Sequence, residues 1–192
     1  MRPAALLPIV LGLLHCSHGS LRGGVYTDER LSFRIGEVPS TWQRLETDGA
    51  SLAFRDNEKE ASVLVNARCG RADEDVPLPA LTRQLFMTFT EREVLEQKTI
   101  PMDGREALHT RMSAKLDGVP KMFDVYVLKK DGCVYDFVAI SAPGTFSVNQ
   151  PLFDRFVAGL FQQFDEISFE RKSAVIGGDS DFHIYGSLWR QD

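Results

Sequence analysis

Few residues in this 192-residue chain have types and spacings that could do chemistry. Two cysteines, Cys69 and Cys133, lie 64 positions apart with no histidine beside either. Such a pair suits one disulfide closing a long loop, or two small buried residues that never meet, since free cysteine is often simply core. Without adjacent histidine or further cysteine it is not a structural zinc set. Nucleophilic catalysis needs a hydroxyl or thiol, a base within reach and a group that orients the base. No Gly-x-Ser-x-Gly occurs, and beyond the apolar leader the histidines are His18, His109 and His183. His109 falls on a strand among Arg111 and Lys115 and reads as a solvated or packed strand residue. The acidic run Asp73-Glu74-Asp75 lacks the alternating acidic positions and glycine turn of a calcium loop, so it reads as a solvated cluster. Neither Gly23-Gly24 nor Gly177-Gly178 continues into a phosphate-cradling motif. The expectation is no catalytic constellation, no metal and no cofactor.

The third cysteine has a different setting. Arg2 is the sole charge ahead of an apolar stretch from Ala4 to Leu14, the length of a signal-peptide core and too short to span a bilayer. Leu13-Leu14-His15-Cys16 resembles the bacterial lipoprotein signal, in which a cysteine at this place is diacylated, although His15 stands where glycine or alanine is usual. The resemblance implies lipidation of Cys16 and a membrane partner held through that anchor. The rival is a cut after Ser17-His18-Gly19 that releases a soluble protein beginning at Ser20.

Composition bounds the partners. The formal charge is −5 and the Lys and Arg residues are dispersed, which argues against nucleic acid. The length fits one domain. The expected organisation is a leader over 1–15, a linker over 16–24, a folded domain over 25–164 and a C-terminal tail of low order over 165–192.

Three Asp-Gly pairs, Asp103-Gly104, Asp117-Gly118 and Asp131-Gly132, recur at a spacing of 14 residues. Asp-Gly between alternating apolar segments is a strong hairpin signal, because both positions tolerate the positive φ of a tight turn. They predict a four-stranded antiparallel meander. Its last strand, from Val134 to Ile140, is apolar on both faces, so the sheet must be covered on both sides. One helix is expected after Pro77, with Leu78, Leu81, Leu85 and Phe89 in register. A second runs from about 149 to 164, carrying Leu152, Phe153, Phe156, Val157, Leu160 and Phe161. Three shorter strands precede them, in LSFRIG, SLAFRD and SVLVNAR, and the turn VPSTW presents Trp42 as a candidate partner surface.

This order of elements resembles the PsbP family and its Ran-binding Mog relatives. The likeness lies in LSFRIGEVPSTW (31–42), MDGREAL (102–108), KDGCVYDFVAIS (130–141) and FDRFVAGL (153–160), and is closest to the bacterial envelope lipoprotein type. It implies an α+β fold in which helices cover an antiparallel sheet in an α/β/α sandwich. It also implies a non-enzymatic accessory or binding module for another envelope protein, facing the periplasm. The alternative readings are a carrier of a small apolar ligand and, behind it, a secreted soluble protein or an enzyme.

Overall fold

The computed structural model describes residues 19–47, 49–70 and 75–161. The leader and the tail therefore lie outside it. In chain order the elements are β1 (Ser20–Arg22), β2 (Val25–Thr27), β3 (Ser32–Arg34), β4 (Gln43–Leu45), β5 (Leu52–Asp56), β6 (Ala61–Cys69) and α1 (Leu78–Leu85). There follow β7 (Thr90–Met102), β8 (Arg105–Leu116), β9 (Val119–Lys130), β10 (Cys133–Ser141) and α2 (Phe146–Ala158), which ends in a 3-10 turn at 159–161.

Each Asp-Gly pair of the second half makes a two-residue turn. The φ angles are 50° and 68° at Asp103-Gly104, 49° and 79° at Asp117-Gly118, and 53° and 73° at Asp131-Gly132. Positive φ at both centres is the twist that a tight antiparallel hairpin requires. The strands they join, β7 to β10, pair antiparallel in sequence order. β10 then pairs β6, and the sheet continues through β5 to β4, giving the order β4-β5-β6-β10-β9-β8-β7. β1, β2 and β3 form a separate three-stranded sheet, so Ser20–Arg22, within the expected linker, is a strand.

Alternation along β9 assigns the two faces. Phe123, Val125 and Val127 join a cluster with Leu81 of α1, whereas Tyr126 and Leu128 join a larger one with Phe153, Phe156 and Val157 of α2. The helices thus lie on opposite faces of the seven-stranded sheet. α1 starts where Pro77 and Pro79 set extended and first-turn backbone, and Phe89, beyond its end, still packs on Phe123 at 4.9 Å. α2 begins three residues earlier than the sequence pattern predicts, directly after the 3-10 turn Pro143–Thr145. Pro151 therefore sits inside the helix rather than in its first turn.

The small sheet closes the α2 side. Phe33 of β3 meets Tyr135 and Phe137 of β10 at 6.0 and 6.4 Å. The chain after β3 then runs against the C-terminal end of α2, where the Gly36 amide donates to the Phe156 carbonyl at 2.7 Å. Gly36 and Gly159 touch backbone to backbone, and a Cβ on either would collide with the other segment. The loop after β5 is held by Asp56, whose Oδ1 accepts from the amides of Glu58 and Lys59 while Oδ2 accepts from the Thr41 hydroxyl. Burial opposes ionisation of Asp56, but those donors and the Lys59 ammonium outweigh it and hold the carboxyl below the usual carboxylate range.

Candidate functional site

The structure brings Cys69 and Cys133 together. They are directly opposite in the β6–β10 ladder, its final pair, and form a disulfide. The bond staples the segment that carries α1, β7, β8 and β9 into a closed loop.

Trp42 does not face outward. Its side chain is 7% exposed and packs 5.5 Å from Phe156 and 6.0 Å from Phe54, between the β4 edge and α2. The expectation that it offers a partner surface is overturned, because the turn VPSTW folds inward against the face that α2 covers. Cys16, His18, Asp73, Glu74 and His183 lie outside the described residues. Asp75 is exposed. Among the described residues no three His, Cys, Asp or Glu side chains gather as metal ligands, and no helix is long and apolar enough to cross a membrane.

His109 is packed, not solvated. The polar-leaning face of β8 lies under α2, and His109 is 2% exposed. Its Nε2 lies 2.5 Å from Asp124 Oδ1 on β9, and its ring stacks on Tyr126 with centroids 4.1 Å apart and planes 7° from parallel. Tyr126 in turn donates to Asp154 of α2 at 3.0 Å. Burial first, then the Asp154 and Asp124 carboxylates, push the Tyr126 phenol far above its ordinary pKa. Arg111 closes the outer side, with Nε 3.7 Å from Asp124 Oδ2 and Nη1 2.9 Å from Glu96. The Gln150 amide of α2, turned with its oxygen inward, accepts from the same guanidinium. The Glu96 carboxyl is held low, by Lys98 before Arg111. A histidine paired with a carboxylate is two members of a catalytic triad, but among the described residues no hydroxyl or thiol is hydrogen-bonded to this pair, and both side chains are buried. It is a brace between β8, β9 and α2.

The open concavities are elsewhere. α1 has eight residues, about 12 Å of helix, against β8 and β9 strands of twelve residues and about 40 Å. It cannot cover its face of the sheet. Past it lies an apolar slot of about 360 Å³, floored by Leu64, Val138 and Ile140 and walled by Phe86, Phe89 and Phe123. Asn66 and Asp136 close its polar end. Beside it a polar recess of about 470 Å³ opens between the small sheet and the β4–β5 edge. Tyr26 lies on its wall, and burial together with Asp28 raises its phenol pKa. The doubly apolar β10 was the sequence signal for the slot, since a two-faced strand beside a short helix leaves one face bare.

The free edges of the sheet are poor docking places. β7 is bulged between Thr90 and Glu93 and between Val94 and Glu96. It also carries Pro101 and the charges of Glu91, Arg92, Glu93, Glu96 and Lys98. Those are the devices that keep an edge strand from pairing with another chain. β4, at the other edge, has three residues.

No family model matches the sequence, and no curated protein is significantly similar to it. Solved structures are similar in shape. LpqN, involved in cell envelope biogenesis of Mycobacterium tuberculosis, matches with a TM-score of 0.51 and 14% identity over 65% of this chain and 80% of its own. Cyanobacterial PsbP (CyanoP) from Synechocystis sp. PCC 6803 matches at 0.49 and 15%, over 67% and 84%. A Pseudomonas aeruginosa protein of unknown function, PA94, described as a putative regulator, matches at 0.43 and 12%, over 85% and 99%. At these identities the likeness is one of fold alone, and of the three LpqN is the one above 0.5.

Proposed function

We propose that this chain is a non-enzymatic accessory or binding module of the bacterial envelope, a PsbP-like α/β/α sandwich tethered to the membrane by a lipid on Cys16 and facing the periplasm. The observation that carries the binding role is the apolar slot left open beside α1. Protein surfaces seldom leave a contiguous apolar recess uncovered unless something occupies it. The sealed His109–Asp124 pair points the same way, because the polar groups best suited to chemistry are spent on structure. For the address, the Cys69–Cys133 disulfide fits an oxidising compartment. The involvement of LpqN in cell envelope biogenesis is consistent with that address.

The test has two parts. Intact mass of the membrane fraction is expected to show residues 16–192 plus diacylglycerol, and a mature form starting at Ser20 would reject the tether. For the binding role, a photo-crosslinker replaces Met87, 71% exposed at the end of α1, in living cells. It is expected to give a discrete adduct, absent when the crosslinker stands at Glu37 on the other face. Equal labelling from both positions, or none from Met87, would reject it.

A further inference from the structure

Among the described residues the large apolar side chains that stand most exposed are concentrated at one end of the molecule. Met87 follows α1, Val94 and Leu95 lie near the start of β7, and Leu116 and Val119 flank the Asp117-Gly118 turn. Register places Val94, Leu116 and Val119 on the face that α1 covers. Val94 is opposite Met112, and Leu116, opposite Val119, stands two residues beyond Ala114; Met112 and Ala114 both pack in the α1 cluster. Phe89, half-buried at 4.9 Å from Phe123, joins the stretch after α1 to the same face.

Three cations stand among these side chains. Arg83 is exposed in the last turn of α1. Arg92 reaches back, its guanidinium donating to the Phe86 carbonyl at 3.1 Å. Lys121 is opposite Ala114 and so shares the face of Val119. The chain as a whole carries −5, yet here three cations meet one exposed carboxylate, Asp117 in the turn. Glu91, nearby in sequence, is ion-paired with Lys115 at 2.7 Å.

We propose that this end of the α1 face docks a second protein, through a partner surface that sets carboxylates around an apolar centre. This rests on the binding-module reading and names the chemistry of its partner.

The tether decides between a protein and a lipid surface. Gly19 lies against Tyr26, which packs in the cluster under α2, and its carbonyl accepts from Arg44 of the β4 edge. From Cys16 to Gly19 is at most about 11 Å of chain. The small sheet stacks roughly 10 Å from the large one on that side. On the other side stands α1, about 10–12 Å across. So short a leash holds the small-sheet side to the bilayer and turns the α1 face towards the periplasm. Charge then selects the partner. Apolar side chains with charge at their rim are the ordinary anatomy of a protein interface. Cations at that rim speed the encounter with an acidic surface and repel a basic one. Strand addition is not the mode, because β7 is bulged and charged along this edge.

The experiment places a photo-crosslinker at Val119 of the full-length protein in living cells. Val148 of α2, 54% exposed against 52% for Val119, is the matched control on the opposite face. The expected result is one protein adduct from Val119 and none from Val148. Mass spectrometry of the adduct should map the contact to a partner segment in which Asp and Glu outnumber Lys and Arg. Arg83→Glu combined with Lys121→Glu should lower the adduct at least about tenfold, since like charges then face each other. Arg83→Lys with Lys121→Arg should retain it. Leu116→Gln, which weakens the apolar centre without altering charge, should lower it too and serves if the charge reversal does not fold. A lipid adduct, a link within the chain or to a second copy, a contact segment without acidic excess, or a yield indifferent to these folded variants overturns the inference. If Met87 crosslinks to a partner while Val119 does not, this inference falls and the binding-module reading stands. If both positions are silent, that reading falls with it.

Discussion

Removing His109 should cost more than neutralising Asp124, even though the two share a single contact. His109→Ala leaves the Asp124 carboxylate 1% exposed, with the Arg111 Nε at 3.7 Å as its remaining cation. That leaves a buried carboxylate short of a partner, which costs about 3–5 kcal/mol. The stack on Tyr126 is lost as well, worth about 0.5–1.5 kcal/mol beyond area. Asp124→Asn keeps shape and a hydrogen-bonding group against the imidazole. Arg111 retains Glu96 and the Gln150 amide. That variant should lose about 1–2 kcal/mol, the scale of one weakened buried hydrogen bond. The double variant should cost less than the sum of the singles by about 2 kcal/mol, because the orphaned charge no longer exists. Urea unfolding of the four proteins at pH 7, followed by far-UV circular dichroism, reads all three numbers. The reasoning is refuted if Asp124→Asn destabilises as much as His109→Ala.

Further outcomes follow from single features. Gly159→Ala should lose about 2 kcal/mol or more, since its methyl would drive into the backbone at Gly36, whereas Gly144→Ala, with open space around it, should melt as the parent does. Burial, with Asp131 and Asp103 nearby, pushes the Tyr135 phenol up to about 12, so its share of stability is whole below pH 10 and lost as pH rises from 10 through 12. That span is worth about 2.7 kcal/mol at most, and a urea midpoint that falls as steeply in Tyr135→Phe as in the parent would contradict it. Replacing both Cys69 and Cys133 by alanine opens a loop of 64 residues and should cost up to about 4 kcal/mol in the chain-entropy account. Reduction of the parent with dithiothreitol should match that loss, and a mismatch above ~1 kcal/mol would place the effect in packing.

The features written in local sequence were the readable ones. Asp-Gly turns fix the ends of β7 to β10 because positive φ is a property of the two turn residues themselves. Helix ends were less legible. α1 stops at Leu85 although the apolar spacing runs on to Phe89, because Phe89 reaches the core from a turn and not from a helical face. The burial of Trp42 was hidden, since it depends on where α2 lands. So was the partner of His109, because opposition of β8 and β9 side chains is a matter of register, and the lid over them is supplied by a helix some 40 residues on. β1, β2 and β4 have three residues each, too few to show alternation.

The final pair of the β6–β10 ladder also bears on the order of events as the chain folds. The turns at Asp103, Asp117 and Asp131 close hairpins over two residues, which is quick. β6 must wait for β10 to return across 64 residues, a pairing whose closure entropy is repaid last. Cys69 and Cys133 therefore meet only once the intervening hairpins are assembled. Oxidation then comes late and records a completed sheet rather than guiding its construction, and a free-thiol population trapped early in refolding should already contain the β7–β10 hairpins.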